Sequence, residues 1–447
     1  MRMSPSIPCA RIAIPLAALV LLASGLPAGE FAERRDHNWH QWRGPRADGT
    51  APHGDPPVEW SEEKNIRWKV EMPGEGSATP IVWEDRVFVV AAIETDRAAE
   101  APPEADPSAK TEPPGNYYQF VVLCLDRATG QERWRQVACE EVPHEGKHPT
   151  NTYASASPTT DGSRLYVSFG SRGVFCYDLD GNPLWEQKLG HLRTRFGWGE
   201  GASPAVHAGA LVVTCDQEEN SSITVLDAAS GEPRWRIDRD EPTTWATPLV
   251  VEHGGRAQVV VNGTNRVRSY DLATGEVIWE CGGQTVNAIP SPLPSAAAVI
   301  VMSGYRGAAS RAIPLDATGD ITDTAAILWR HDQGTPYVPS PVAWDGHIYF
   351  TAANTGMLSC LDAATGQPIF ERERLPALDG VYASPAAAAG RLYFVGRDGA
   401  MVVLGAGTKV DVLATNKLDD GIDASPVIVG KQLLLRGTRH LYCIESE

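Results

Sequence analysis

The sequence predicts an all-β protein, an eight-bladed β-propeller of four-stranded antiparallel blades whose ring is closed by an N-terminal strand. Three observations predict it. A Ser/Thr-Pro pair occurs at Thr79-Pro80, Ser157-Pro158, Ser203-Pro204, Thr247-Pro248, Ser291-Pro292, Ser340-Pro341, Ser384-Pro385 and Ser425-Pro426. A turn of the form Asp-x-x-Thr-Gly with a Trp after it returns between these pairs. The last repeat lacks an outer strand, and a spare strand lies near the start of the chain.

The pairs set the period. From Ser157 onward their steps are 46, 44, 44, 49, 44 and 41 residues, the size of one propeller blade. The first step is 78 residues, which an insertion explains. Each pair leads into a short run of β-branched and aromatic residues, such as Val87-Phe88-Val89-Val90, Leu165-Tyr166-Val167 or Ile348-Tyr349-Phe350. Such runs read as strands.

The turn motif stands as Asp126…Thr129-Gly130…Trp134, Asp227…Gly231…Trp235, Asp271…Thr274-Gly275…Trp279 and Asp362…Thr365-Gly366…Phe370, with a shorter form at Asp178…Gly181…Trp185. Asp accepts turn amide hydrogens and Gly supplies the left-handed backbone of a hairpin. Trp then offers a flat surface for packing one sheet on the next. Blade five delays its Trp to Trp329, and blade seven has Gly405-Ala-Gly407 where the turn belongs. Ile66-Arg67-Trp68-Lys69-Val70 supplies the outer strand that the last repeat lacks, which removes open sheet edges.

Cysteines fall in the repeat as well. Cys124, Cys176, Cys360 and Cys443 occupy a slot that Val225, Ser269 and Val403 fill elsewhere. A slot that accepts Cys, Val or Ser is a small buried strand position, so packed thiols are expected and a disulfide framework is not.

Three stretches lie outside the repeat. Residues 1–28 combine Arg2 and Arg11 with an apolar run from Ile12 to Ala23 and small residues up to Ala28, the make-up of a signal peptide. The run is short for a membrane span. No Cys follows it, so no membrane anchor is expected and the protein should be periplasmic or secreted. Residues 29–65 form a leader, with Trp39-His-Gln-Trp42-Arg43-Gly44-Pro45 expected to pack on the propeller, which itself covers 66–447. His37 and His40 bring no further ligand spacing, and no metal site is predicted. Residues 94–116 are rich in Ala, Pro and Glu and read as a flexible insertion at a hairpin tip of the first blade.

The formal net charge is −17, and it falls to about −19 once Arg2 and Arg11 are removed. An acidic surface excludes a general grip on nucleic acid, whose phosphates demand basic residues, and disfavours anionic lipid. It keeps a large monomer soluble.

The repeated Asp-x-x-Thr-Gly-x-x-x-Trp hairpins resemble those of the pyrroloquinoline-quinone (PQQ) repeat, the quinoprotein alcohol dehydrogenase-like propellers. Within that group the chain is similar to the compact outer-membrane-assembly-scaffold-like proteins. The leader Trp42-Arg43-Gly44-Pro45-Arg-Ala-Asp48-Gly49 is similar to that of exported repeat proteins of planctomycete-type bacteria. The resemblance covers residues 38–447 and implies fold more than activity.

Two functions are weighed. A PQQ- and calcium-dependent alcohol or sugar oxidoreductase, as the resemblance implies, needs oxygen ligands for Ca²⁺ and a base. The adjacent-cysteine pair, a haem motif and the long pocket-building insertions of such enzymes are absent, so no cofactor is predicted outside that alternative. The favoured function is a noncatalytic binding or scaffold propeller for a small-molecule or protein partner. Connections between blades gather on one face, so residues ahead of each Ser/Thr-Pro should ring the channel mouth: Ser77, Tyr153, Glu200, Trp245, Asn287, Tyr337, Tyr382 and Asp423. The long connections Glu140–Thr152 and Gly190–Gly201 reach the same face, the second carrying Arg193, Arg195 and Trp198. Long loops on a rigid scaffold are where binding concentrates.

Overall fold

A computed structural model describes residues 28–446. The signal segment therefore lies outside the described residues except for Ala28, which begins a helix, Ala28–Arg35. No helix among the described residues is long and apolar enough to cross a membrane.

The rest is a ring of eight antiparallel sheets. Blade one is Ile81–Trp83, Arg86–Ala98, Asn116–Asp126 and Glu132–Glu141, counted outward from the channel. Blade eight is Val427–Val429, Gln432–Arg436 and His440–Ile444, completed on its outer edge by Ile66–Glu71. That strand pairs Trp68 with Cys443 and Val70 with Leu441.

The small slot faces the Trp slot. Cys124 pairs with Trp134, Cys176 with Trp185, Val225 with Trp235, Ser269 with Trp279 and Cys360 with Phe370. In blade five Ala312 faces the delayed Trp329, and in blade seven Val403 faces Ala414. A large ring beside a small partner keeps the sheet thickness even. All seven cysteines among the described residues are free thiols, and burial pushes Cys124 and Cys360 up to about 12.

The turn glycine does more than provide a positive φ. A Cβ on Gly130, Gly181, Gly231, Gly275 or Gly366 would stand within 3.0 Å of the Trp of the preceding blade. Those Trp rings donate their indole hydrogens into the same turns, Trp68 to Arg127 O, Trp134 to Leu179 O, Trp185 to Ala228 O, Trp235 to Leu272 O and Trp329 to Ala363 O. Asp, Gly and Trp thus form one inter-blade clasp. Blade five lacks the turn, and the indole nitrogen of Trp279, the ring that would have docked there, is buried without a partner. Blade four gains instead a short parallel strand, Gly319–Asp320.

The Ser/Thr of each Ser/Thr-Pro pair forms an inner ring. Thr79 N–H donates to the Ser157 hydroxyl, Ser157 N–H to Ser203, and so on through Thr247, Ser291, Ser340, Ser384 and Ser425, whose N–H returns to Thr79. The eight bonds measure 2.8 to 3.1 Å.

The leader lies across the inner strands beyond these pairs. Trp39 exchanges backbone bonds with Val82 of blade one, His40 O accepts from Thr160 of blade two, and Ala51 N–H donates to Ala387 O of blade seven. The Arg43 guanidinium donates to Pro341 O and Pro385 O, each at 2.7 Å. It is fully buried, which lowers its pKa to about 10. A Cβ on Gly49 would collide with it.

Residues 94–116 extend the second hairpin of blade one. Strand structure continues to Ala98 and resumes at Asn116, and the tip between them is tied down. Asp106 pairs with Arg193, Lys110 N–H donates to Phe196 O, and the Thr111 hydroxyl donates to Gly197 O. Polar contacts with a neighbouring loop hold a tip whose apolar side chains are Ala and Pro alone.

Candidate functional site

Each innermost strand begins at the mouth face, so the second strand returns to it and the hairpin to the third strand lies there too. Inter-blade connections and second hairpins therefore share the mouth. Together they enclose a central cavity of about 400 Å³.

Its wall has a strict register. The residue two places before each ring Ser/Thr lines it: Ser77, Ser155, Gly201, Trp245, Ile289, Val338, Tyr382 and Asp423. Period-two alternation in extended chain puts that residue on the same side as the hydroxyl. Six of the ring residues themselves, Thr79, Ser157, Ser203, Thr247, Ser384 and Ser425, line it as well. Trp42 joins from the leader.

This register corrects the expected mouth residues. Trp245, Tyr382 and Asp423 occupy it; Tyr337 is one place further out and still lines the cavity, as does Trp198 from the long loop. Tyr153, Glu200 and Asn287 stand three or four places ahead of the ring residue and turn elsewhere. Tyr153 and Glu200 line a smaller side cavity of about 50 Å³. Asn287 is buried at φ 59°, with both amide atoms unbonded. Arg193 is spent on Asp106 and Glu219. Arg195 lies over the Phe196 ring at 5.2 Å, outside the cavity wall. Trp42 and Tyr305 stand on the wall outside the expected set, whereas His148 and Asn151 arrive from the long Glu140–Thr152 connection expected at this face. Tyr305 belongs to a second hairpin, and counting those hairpins along with the connections would have found it.

The cavity has two halves. Trp198, Trp245, Tyr305, Tyr337 and Tyr382 come from blades three to seven and their connections. Trp198 and Trp245 stack at 6.5 Å, and Tyr305 and Tyr337 at 4.7 Å. Asp423, Ser77, His148, Thr150, Asn151 and Ser155 come from blades eight, one and two. Asp423 is the single carboxylate on the wall, and Arg397 holds it with two bonds of 2.7 and 2.9 Å while lying 4.0 Å over the Tyr382 ring. Burial pulls the His148 pKa down, so its imidazole is neutral at pH 7.

The side cavity is charged. The Glu200 carboxylate accepts from Ser171 N–H and hydroxyl, each at 2.6 Å, and from Arg172 at 3.2 Å. It fills the space a Cβ on Gly170 would need. Asp216 and Arg239 form an ion pair at 2.7 Å with both side chains wholly buried. Glu145 accepts from the Thr194 amide and hydroxyl, and burial raises its pKa to about 7.

A calcium–quinone site would need Glu200, Asp423 and an Asn side chain to converge. Glu200 lines the side cavity, Asp423 lines the central one bonded to Arg397, Asn287 lines neither, and Asn151 on the central wall spends its amide on Trp198 O and Glu200 O, so these residues do not assemble an oxygen-rich ligand set. Among the described residues no group of three or more His, Cys, Asp or Glu could hold a metal ion.

Fold and cavity together define a repeat propeller with a central aromatic cavity. The family model described as "Outer membrane protein assembly factor BamB" matches residues 119–282, 180–322 and 315–410. The chain belongs to this family of PQQ-like repeat propellers. It is 23% identical over 289 residues to the outer membrane protein assembly factor BamB of Yersinia pestis, a match covering 64% of this chain and 58% of that protein. BamB from Moraxella catarrhalis superposes with a TM-score of 0.53 at 12% identity, covering 79% of this chain and 98% of that one. A europium-containing methanol dehydrogenase superposes with a TM-score of 0.62 at 11% identity, covering 92% of each chain. At such identities the solved structures speak for the fold alone.

Proposed function

We propose that this chain is an exported, noncatalytic binding propeller that receives its ligand in the central cavity and works as a scaffold in the periplasm. One observation carries the reading: among the described residues the one carboxylate on the cavity wall is bonded to Arg397, so the cavity offers aromatic surface, hydroxyls and an imidazole tied through Nδ1 to Thr150, but no free carboxylate to serve as base or calcium ligand. Proton abstraction needs a base within reach of the substrate; binding needs only shape and a few polar groups. The name of its relatives, outer membrane protein assembly factor, suggests the compartment.

Two measurements test it. Purified protein is incubated with the quinone and Ca²⁺, and dye reduction is followed with alcohols and aldoses. No turnover is expected, and turnover dependent on the quinone overturns the noncatalytic reading. Mass spectrometry of the native protein from a periplasmic fraction should find a mature N-terminus near Ala28. Intact Met1 in the cytoplasmic fraction overturns export.

A further inference from the structure

We propose that the occupant of the central cavity is a neutral saccharide, bound by stacking of a sugar ring on the aromatic half and hydrogen bonding to the opposite half and the inner ring. The proposal rests on the binding reading above and names the ligand class.

The hydroxyl ring is the first argument. Each of its eight hydroxyls accepts a neighbour's amide hydrogen, and none donates its own hydrogen to an acceptor among the described residues. Six of them line the cavity, and all eight residues are buried, Thr247 being the most exposed at 9%. Buried donors need acceptors. The amide bonds occupy the acceptor side and leave the donor side for the cavity. An occupant rich in acceptor oxygens is called for.

Sidedness is the second argument. A pyranose presents C–H faces to aromatic rings and a rim of hydroxyls to polar groups. The wall divides in the same way: five of its six Trp and Tyr rings stand on one arc, the sixth, Trp42, comes from the leader, and Ser77, Ser155, Thr150 and Asn151 come from the other arc. Asn151, Ser155 and Thr150 already bond within the protein, so it is the ring hydroxyl hydrogens that an aliphatic or purely aromatic ligand would leave without acceptors.

Charge is the third. Asp423 is matched by Arg397, so the wall offers no unpaired ion to a uronic acid or an amino sugar, whose charge would lose water without compensation. The volume of about 400 Å³ lies within the range of small-molecule sites.

The test is titration of the full mature chain, read by calorimetry and tryptophan emission. Probes are glucose, galactose, N-acetylglucosamine and their β1,4- and α1,4-linked dimers and trimers. Galacturonate and glucosamine serve as charged counterparts, and 2-naphthol as an apolar probe. At least one neutral saccharide should bind saturably. Trp245→Ala and Tyr305→Ala should each weaken it by about tenfold or more, and Tyr305→Phe should keep the stacking face and the affinity. Circular dichroism of each variant confirms folding. Binding of the charged sugars as tight as the neutral ones overturns the proposal, as does saccharide binding indifferent to both alanine variants. If 2-naphthol binds with sensitivity to Tyr305→Ala and no saccharide does, the saccharide assignment falls and the binding reading stands. If no probe binds, both fall. If a neutral saccharide binds and is oxidised in the quinone-loaded protein, the assignment stands and the noncatalytic reading falls.

Discussion

The hydroxyl of Thr79 accepts the backbone amide hydrogen of Ser425 at 3.1 Å, and this bond joins blade one to blade eight at the channel. The two residues are 346 positions apart in the chain. Thr79→Val keeps the shape and removes the acceptor, leaving a buried amide unpaired. The expected cost is about 1–3 kcal/mol, read as a lower urea midpoint. Thr79→Ser should be nearly neutral.

Gly275 and Gly319 separate backbone strain from inter-blade packing. Both have positive φ, 79° and 69°, so Ala costs each of them roughly 1–2 kcal/mol. Only at Gly275 would the new Cβ meet Ile237 and Trp235, at 2.8 and 2.9 Å; at Gly319 nothing lies within 4 Å. Thermal unfolding should show the larger loss for Gly275→Ala. Equal losses would refute the clasp between turn glycine and preceding Trp.

Asp216 and Arg239 are wholly buried together, with Tyr270 and Thr244 adding bonds to the pair. Asp216→Asn leaves the guanidinium uncompensated, and breaking such a pair costs roughly 3–5 kcal/mol. Chemical denaturation should show that loss.

Glu145 gives a pH dependence of definite sign. Its carboxyl titrates near 7 in the folded chain, against an ordinary value of 4.5, because burial disfavours the charged form. Its favourable contribution is complete below about pH 4.5 and is lost as pH rises through 7. The thermal midpoint of Glu145→Gln should therefore fall less between pH 5 and pH 8 than that of the unsubstituted protein. Parallel profiles would show that Glu145 is ionised throughout.

Blade number, the clasp residues and the closing strand were legible because each leaves a mark in every repeat. Trp68 was identifiable without its turn, since the last repeat lacked an outer strand. The cavity was legible in part. Its face followed from topology, and Trp245, Tyr382 and Asp423 followed from the Ser/Thr-Pro pairs. Tyr153, Glu200 and Asn287 did not, because the connections differ in length and only the residue two places before the hydroxyl is bound to the wall by alternation. Trp42 escaped because a leader outside the repeat has no period to place it. The role of the Ser/Thr hydroxyls escaped as well. Their recurrence was visible, but a bond from one blade to the next is a property of the closed ring.

Closure by Ile66–Glu71 makes folding wait on synthesis. That strand precedes all the blades in the chain, and it must wait for His440–Ile444, the strand it joins. Until then blade eight does not exist and the arc of finished blades has two hungry edges. A chain that lacks His440–Ile444 keeps those edges open to chaperones and proteases, and pairing of that strand with Ile66–Glu71 withdraws them in one step.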